Sequence, residues 1–195
     1  FLKLIKKKYE LIIVTDRNNF IFKKFFSKNI KKNYDSVAFT TIIDHDSVKN
    51  KVAEQHFTKF GPLAFLPISK SQTSIVFSVF DKDLIKNKDK IVKLIEHYNN
   101  CYKIKNISKF QQFPINLSLS RNYFHKNILS FGDALHKIHP LAGQGFNMTL
   151  RDAKILSELI KENLDLGLNL DTVLEKFEDK RKNSNFVFAL GVDFL

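Results

Sequence analysis

One cysteine, four arginines and no long apolar run exclude several classes of protein before any motif is considered. Cys101 alone cannot build a disulfide framework, and with no activating neighbour in sequence it fits a reducing compartment better than a nucleophilic role. No stretch approaches the roughly 20 apolar residues needed to span a bilayer. Phe1 to Ile13 mixes apolar residues with lysines and lacks a small-residue cleavage site, so it does not read as a signal peptide. There are no internal repeats and no low-complexity tract beyond a lysine bias. The chain begins with Phe1 rather than Met and stops inside the apolar run at Val192 to Leu195, so it reads as a fragment or an incomplete gene product.

Basic charge is what the sequence has in excess: 32 Lys and Arg against 20 Asp and Glu, a formal +12 over 195 residues. Only Arg17, Arg121, Arg151 and Arg181 are arginines, whereas nucleic-acid readers draw on arginine forks and on aromatics exposed among the charges. Here most aromatics sit in alternating or apolar runs that read as buried. The excess is therefore read as a general lysine bias, with no nucleic acid as partner, although a basic surface suits an anionic lipid face. At 44% apolar content the chain can bury a real core in one or two domains.

Tyr9 to Asp16 is a short apolar run ending in an acid, the pattern of a buried parallel strand whose carboxyl end faces a ligand. Arg17 to Lys32 reads as a polar connection with one helical turn around Phe22 to Phe26. Strand texture follows at 36–43, 63–68 and 73–80, where Ile75, Phe77 and Val79 share a face, and this succession predicts an antiparallel sheet. A helix is expected over 83–102 with Ile85, Ile91, Leu94, Ile95 and Tyr98 inward, then strands at 113–119 and 127–131. Asp44-His45-Asp46 reads as a solvated turn. A helix over 146–163 takes Leu150, Ala153, Leu156 or Ser157 and Ile160 as its stripe, and a last helix is expected to start at an Asp171 cap and run to about Phe188.

The chemistry is concentrated between Gly132 and Asn147. A buried strand delivers Gly132-Asp133, a loop follows, and Gly143 and Gly145 bracket the start of a helix. Glycines admit close backbone approach, and a helix start presents unpaired N–H groups with partial positive charge, so the segment suits an electron-rich or anionic group. Asp133 is placed to accept hydrogen bonds from ligand hydroxyls. Spacing alone serves a tight strand-to-helix turn equally well, with Asp133 capping backbone. Asp133, His136 and His139 fall three apart, but Pro140 and the glycines argue for loop, and no further ligand completes a tetrahedral metal set.

Gly-Asp-Ala-x-His-x-x-x-Pro-x-x-Gly-Gln-Gly-x-Asn, continued by Asp152-Ala153, resembles the second flavin-binding motif of the FAD-dependent aromatic-ring hydroxylases of the para-hydroxybenzoate hydroxylase type. His139 to Gly145 is most similar to the ubiquinone-biosynthesis hydroxylases within that family. Ala53 to Thr58 with Gly61 to Pro67 resembles the sheet of their substrate domain, and Phe177 to Asn185, with Arg181 and Asn185, resembles their late helix. The resemblance implies an α/β fold: part of an FAD-binding doubly wound domain carrying an inserted, mainly antiparallel sheet. Residues 1–35 and 126–165 would belong to the FAD-binding part, 36–125 to the substrate domain and 166–195 to a terminal helix. It also implies a flavin-dependent monooxygenase, with FAD reduced by NADPH or NADH and one oxygen atom of O2 passed to a polyprenylated phenol on the route to ubiquinone. Asp133, beside Gly132, would hold the ribityl hydroxyls, with Asp16 nearby. Pro140 would lie near the ring, and Gly143, Gln144, Gly145, Phe146 and Asn147 would face its pyrimidine end. No side chain is assigned as a catalytic acid or base. The setting implied is cytoplasmic, at the inner membrane face, with a ubiquinone-biosynthesis assembly as a further partner.

Two departures accompany the resemblance. Where family members have Asp-Gly, then a serine and an arginine, this chain has Asp16-Arg17, Phe20 and Lys23. The Gly-x-Gly-x-x-Gly cradle for the FAD pyrophosphate is absent, so the fragment by itself is expected to hold FAD weakly or not at all and to be inactive. The competing readings are a lysine-rich, non-catalytic binding module and a degenerate flavoprotein.

Overall fold

The computed structural model describes residues 8–138, 144–167 and 169–193. In chain order its elements are β1 (Ile12–Val14), α1 (Phe20–Phe25), β2 (Asn29–His45), β3 (Glu54–Thr58), β4 (Gly61–Pro67), β5 (Gln72–Val79), α2 (Lys82–Ile85), α3 (Lys88–Tyr98), β6 (Ile104–Ile107), β7 (Gln111–Ser120), β8 (Phe124–His125), β9 (Ile128–Ser130), a 3-10 turn (Gly132–Ala134), β10 (His136–Lys137), α4 (Gln144–Asp165) and α5 (Leu170–Asp193). The architecture is mixed α/β with an antiparallel sheet. Two units are formed: residues 1–32 with 116–195, and residues 33–115. The chain crosses between them within β2 and again within β7.

The 33–115 unit is an antiparallel sheet in the order β2-β5-β4-β3, with β6 also paired to β2. Alternation decides its faces: Phe39, Ile43, Leu63, Phe65, Ile75, Phe77 and Val79 are fully or almost fully buried. Ile91 and Ile95 of α3 cover them from one side, each burial contributing about 2 kcal/mol. The expected helix over 83–102 is two helices. Asn87 breaks it, its side chain accepting from Lys90 N (3.1 Å) to cap a fresh start, and α3 ends at Tyr98. The Asp44-His45-Asp46 turn is also corrected. His45 ends β2 at 2% exposure, its Nε2 3.0 Å from Thr73 Oγ1, because β6 pairs across this stretch and removes it from water.

In the other unit β1 runs parallel to β9, Val14 opposite Ser130, and β8 joins β9 antiparallel. α1 packs Ile21 and Phe22 with Phe26 onto Val14, Ile128 and Ala134. The polar connection expected over Arg17 to Lys32 is shorter than foreseen, since β2 begins at Asn29. α4 and α5 pack together through Leu156, Leu159, Val173, Leu174 and Phe177. The stripe expected on α4 is rotated: Met148, Asp152, Leu156, Leu159 and Asn163 are buried, while Leu150 is 51% exposed and Ala153 is exposed. Two polar residues on the inward face misled the apolar count. The cap of α5 is Asn169, whose Oδ1 accepts from Thr172 N (3.0 Å), two residues before the expected Asp171.

Candidate cofactor site

Because β1 and β9 are parallel, their carboxyl ends open at one edge, where Phe131 N donates to Val14 O (2.9 Å). Ligands of open α/β sheets sit at such edges. β1 delivers Asp16-Arg17 there and β9 delivers Gly132-Asp133. Asp16 is exposed, its Oδ1 accepting from Asn18 N (2.8 Å) in a turn that leads to Asn19, the cap of α1. Arg17 ties the two strand exits together. Its Nε donates to the Asp133 carbonyl (2.6 Å), one Nη to the Ser118 carbonyl (2.8 Å) and the other to the Ser118 hydroxyl, with Phe22 beneath at 5.4 Å. Burial pulls this guanidinium down to about 10 against the opposing pull of the Asp133 charge, so it stays cationic at neutral pH. Where the resemblance would place glycine, this chain has a clamp.

Gly132 has φ +59°, a left-handed conformation that glycine adopts without strain. A methyl group built on it would lie 3.6 Å from Thr149 Cγ2, so the 3-10 turn rests directly on α4. One built on Gly145 would lie 3.8 Å from Ile138 Cγ1, which brings the first turn of α4 against the same segment. The Asp133 side chain is exposed, and its carboxylate accepts no hydrogen bond among the described residues. Gln144 and Gly145 are half-buried, Phe146 is 70% exposed and Asn147 is exposed. No acid stands in the first turn of α4, so no carboxylate of that turn offsets the partial positive charge of its N–H groups. The structure thus packs the turn that carries Gly132 and Asp133 on α4 at Thr149, with Asp16 at the neighbouring strand exit. Pro140 and Gly143, with His139, lie outside the described residues.

Behind this edge is a buried polar network that the sequence reading did not anticipate. Asp152 of α4, fully buried, accepts from Arg181 Nε (2.6 Å), pairs with His136 Nε2 (2.8 Å) and receives Asn185 Nδ2 at 3.2 Å on both oxygens. Arg181 also donates to Asn185 Oδ1 (2.7 Å), and Asn185 Nδ2 reaches the Tyr123 hydroxyl (3.2 Å). Asp152 thus engages Nε2 of His136, and among the described residues no group of three His, Cys, Asp or Glu could hold a metal ion. The available signal was an acid on the inward stripe of α4 facing Arg181 and Asn185, four apart on α5. Burial pushes the Tyr123 phenol up to about 12. A raised folded-state value favours the neutral ring, so this contribution is whole below pH 10 and lost as pH rises from there through 12. Absorbance titration should show one tyrosine ionising at about pH 12, and Tyr123→Phe should remove that step.

The model of the FAD binding domain family matches residues 23–185. The chain belongs to this family. Similar proteins include the mitochondrial ubiquinone biosynthesis monooxygenase COQ6 of Homo sapiens, 26% identical over 86% of this chain and 45% of its own length. The ubiquinone hydroxylase UbiL of Rhodospirillum rubrum is 25% identical over 83% of this chain and 40% of its own. This FAD-binding chain therefore spans less than half the length of those relatives. Among solved structures, PqsL of Pseudomonas aeruginosa in complex with 2-aminobenzoylacetate superposes with a TM-score of 0.73 at 17% identity, covering 92% of this chain and 53% of its own, a likeness of fold. Among the described residues no helix is long and apolar enough to cross a membrane.

Proposed function

We propose that this FAD-binding chain is part of a flavin-dependent monooxygenase that hydroxylates an aromatic ring, with a polyprenylated phenol of ubiquinone biosynthesis as substrate. The observation that carries the reading is the exposed Asp133 carboxylate, which accepts no hydrogen bond among the described residues, in a turn packed on α4 at the carboxyl ends of two parallel strands. These residues fit FAD. A carboxylate with open acceptor sites suits ribityl hydroxyls, and helical N–H groups suit the electron-rich pyrimidine end of the ring. Asp133 and Gly132 would hold the ribityl chain with Asp16 at its side, Gly143 to Asn147 the pyrimidine end, and Pro140 the ring face. Residues 1–32 with 116–195 would be the FAD-binding part and 33–115 the substrate part.

When bound, FAD supplies the redox chemistry that activates O2, with NADPH or NADH as the electron source. The chain's own share is to bind, orient and exclude water. Arg17 fixes the carbonyl of Asp133 and so the aim of its carboxylate, while Gly132 lets the turn approach α4. The polyprenyl tail of such a substrate implies work at a membrane face, in the cytoplasm or its mitochondrial counterpart, alongside other proteins of the route. The test is to supply the full-length monooxygenase of which this chain is proposed to be part with FAD, NADPH or NADH, O2 and a short-chain polyprenylated phenol. A product one oxygen atom heavier, by mass spectrometry, is the expected result. Flavin binding with oxidation of the nucleotide but no oxygenated phenol would overturn the substrate assignment.

A further inference from the structure

The basic charge is not spread evenly. From Arg17 to Tyr34, and again from Asn116 to Gly132, the chain contains no carboxylate. The structure joins these two segments within one unit. Arg121 N donates to the Lys28 carbonyl (3.1 Å), Ser120 Oγ donates to Asn29 Oδ1 (3.0 Å), and the Phe25 and His125 rings stack at 4.4 Å with 15° between planes. Lys24 Nζ lies over the Phe25 ring at 5.6 Å. Lys23, Lys24, Lys28, Lys31, Arg121 and Lys126 are all exposed, and none has an ion-pair partner among the described residues. By contrast, Lys103, Lys105 and Lys154 elsewhere, and Lys182 at the margin of this surface, each stand near an acid. Unpaired like charges held together repel one another, so such a surface lowers its energy by meeting an anionic one.

We propose that this surface, centred on Lys24, Lys28, Lys31, Arg121 and Lys126, docks the protein on a bilayer that carries anionic lipid headgroups. Three features favour lipid over nucleic acid. The cations are mostly lysines, point charges without the guanidinium fork that reads bases and grips phosphates in pairs. Apolar side chains stand among them, Ile30 at 36% and Phe20 at 49% exposure, as an interfacial surface requires. Beside Arg121 a small cavity of about 150 Å³ is walled by Ile30 and Phe186, an apolar recess next to a cation that suits the start of an acyl chain below its phosphate. The proposal deepens the functional reading above, since a polyprenylated phenol resides in a membrane, but its test needs neither flavin nor turnover.

Sedimentation with vesicles of phosphatidylcholine alone, and of phosphatidylcholine with phosphatidylserine, tests it at about 0.1 M salt, where screening acts over about 10 Å. Binding only to the phosphatidylserine vesicles is expected. Lys24→Glu/Lys28→Glu/Lys31→Glu should weaken it on the order of 100-fold or more, at roughly fivefold per lysine lost. The control Lys86→Glu/Lys90→Glu/Lys93→Glu carries the same charge change on exposed residues of the other unit and should bind within a few-fold of the parent. Equal loss in both variants would reduce the effect to net charge and overturn the proposal. So would equal binding to both vesicle types, or an RNA oligonucleotide that displaces the protein from phosphatidylserine vesicles. If docking fails while phenol hydroxylation succeeds, the functional reading stands and this surface does not.

Discussion

Replacing Asp152 with alanine is expected to destabilise the folded chain by about 3–5 kcal/mol, the typical cost of removing one partner from a buried ion pair. The carboxylate is fully buried and engages His136, Arg181 and Asn185 at once, so its removal leaves a guanidinium and an amide facing an apolar interior. For a chain of this size the midpoint of thermal unfolding should fall by roughly 10 °C or more. The pair variant Asp152→Leu/Arg181→Leu should be milder than Asp152→Leu alone, because it removes the stranded charge together with its partner. A pair variant at least as unstable as the single one would mean that packing, not charge compensation, governs this centre. The network links β10, α4 and α5, so the loss should loosen the segment that carries Asp133 as well.

The sequence made some of this legible and hid the rest for identifiable reasons. Strand alternation at Ile75, Phe77 and Val79 reads directly as a buried face, because one face of that sheet is covered by α3 and period two survives. The run before Asp16 does form a parallel strand, though only over Ile12–Val14 and with Ile13 48% exposed where burial is expected, and the glycine-flanked segment does lead into a long helix. On α4 an apolar count fails, since the inward face holds Asp152 and Asn163 while Leu150 faces water. Buried polar residues look like surface to any pattern that equates inward with apolar, and Asp152 is revealed only by its partners Arg181 and Asn185, 29 and 33 residues away. Arg17 illustrates the same limit. Judged against a family pattern it is a departure, but its ties to Ser118 and to the carbonyl of Asp133 span about a hundred positions that local reading cannot connect.

The second large effect is expected at Asp133. Under the proposed reading, Asp133→Ala should weaken FAD binding roughly 10- to 100-fold, in line with about 1.5–3 kcal/mol for hydrogen bonds to a charged group. Asp133→Asn keeps one acceptor oxygen and should lose less. Because the side chain is exposed and makes no hydrogen bond among the described residues, neither change should move the unfolding midpoint by more than about 2 °C. That separation matters: a loss of flavin accompanied by unfolding would implicate the scaffold, whereas a loss without it implicates the carboxylate.

Amide resonances of the isotope-labelled chain, followed by NMR during titration with FAD up to millimolar concentration, examine the flavin site most directly, even where binding is weak. The account predicts shifts clustered at Asp16 to Asn18, Gly132 to Ala134 and Gln144 to Asn147, and largely abolished by Asp133→Ala. Shifts confined to Lys23 to Lys31, where a basic surface would merely collect the phosphates of FAD, or no shifts at the three predicted places, would contradict it.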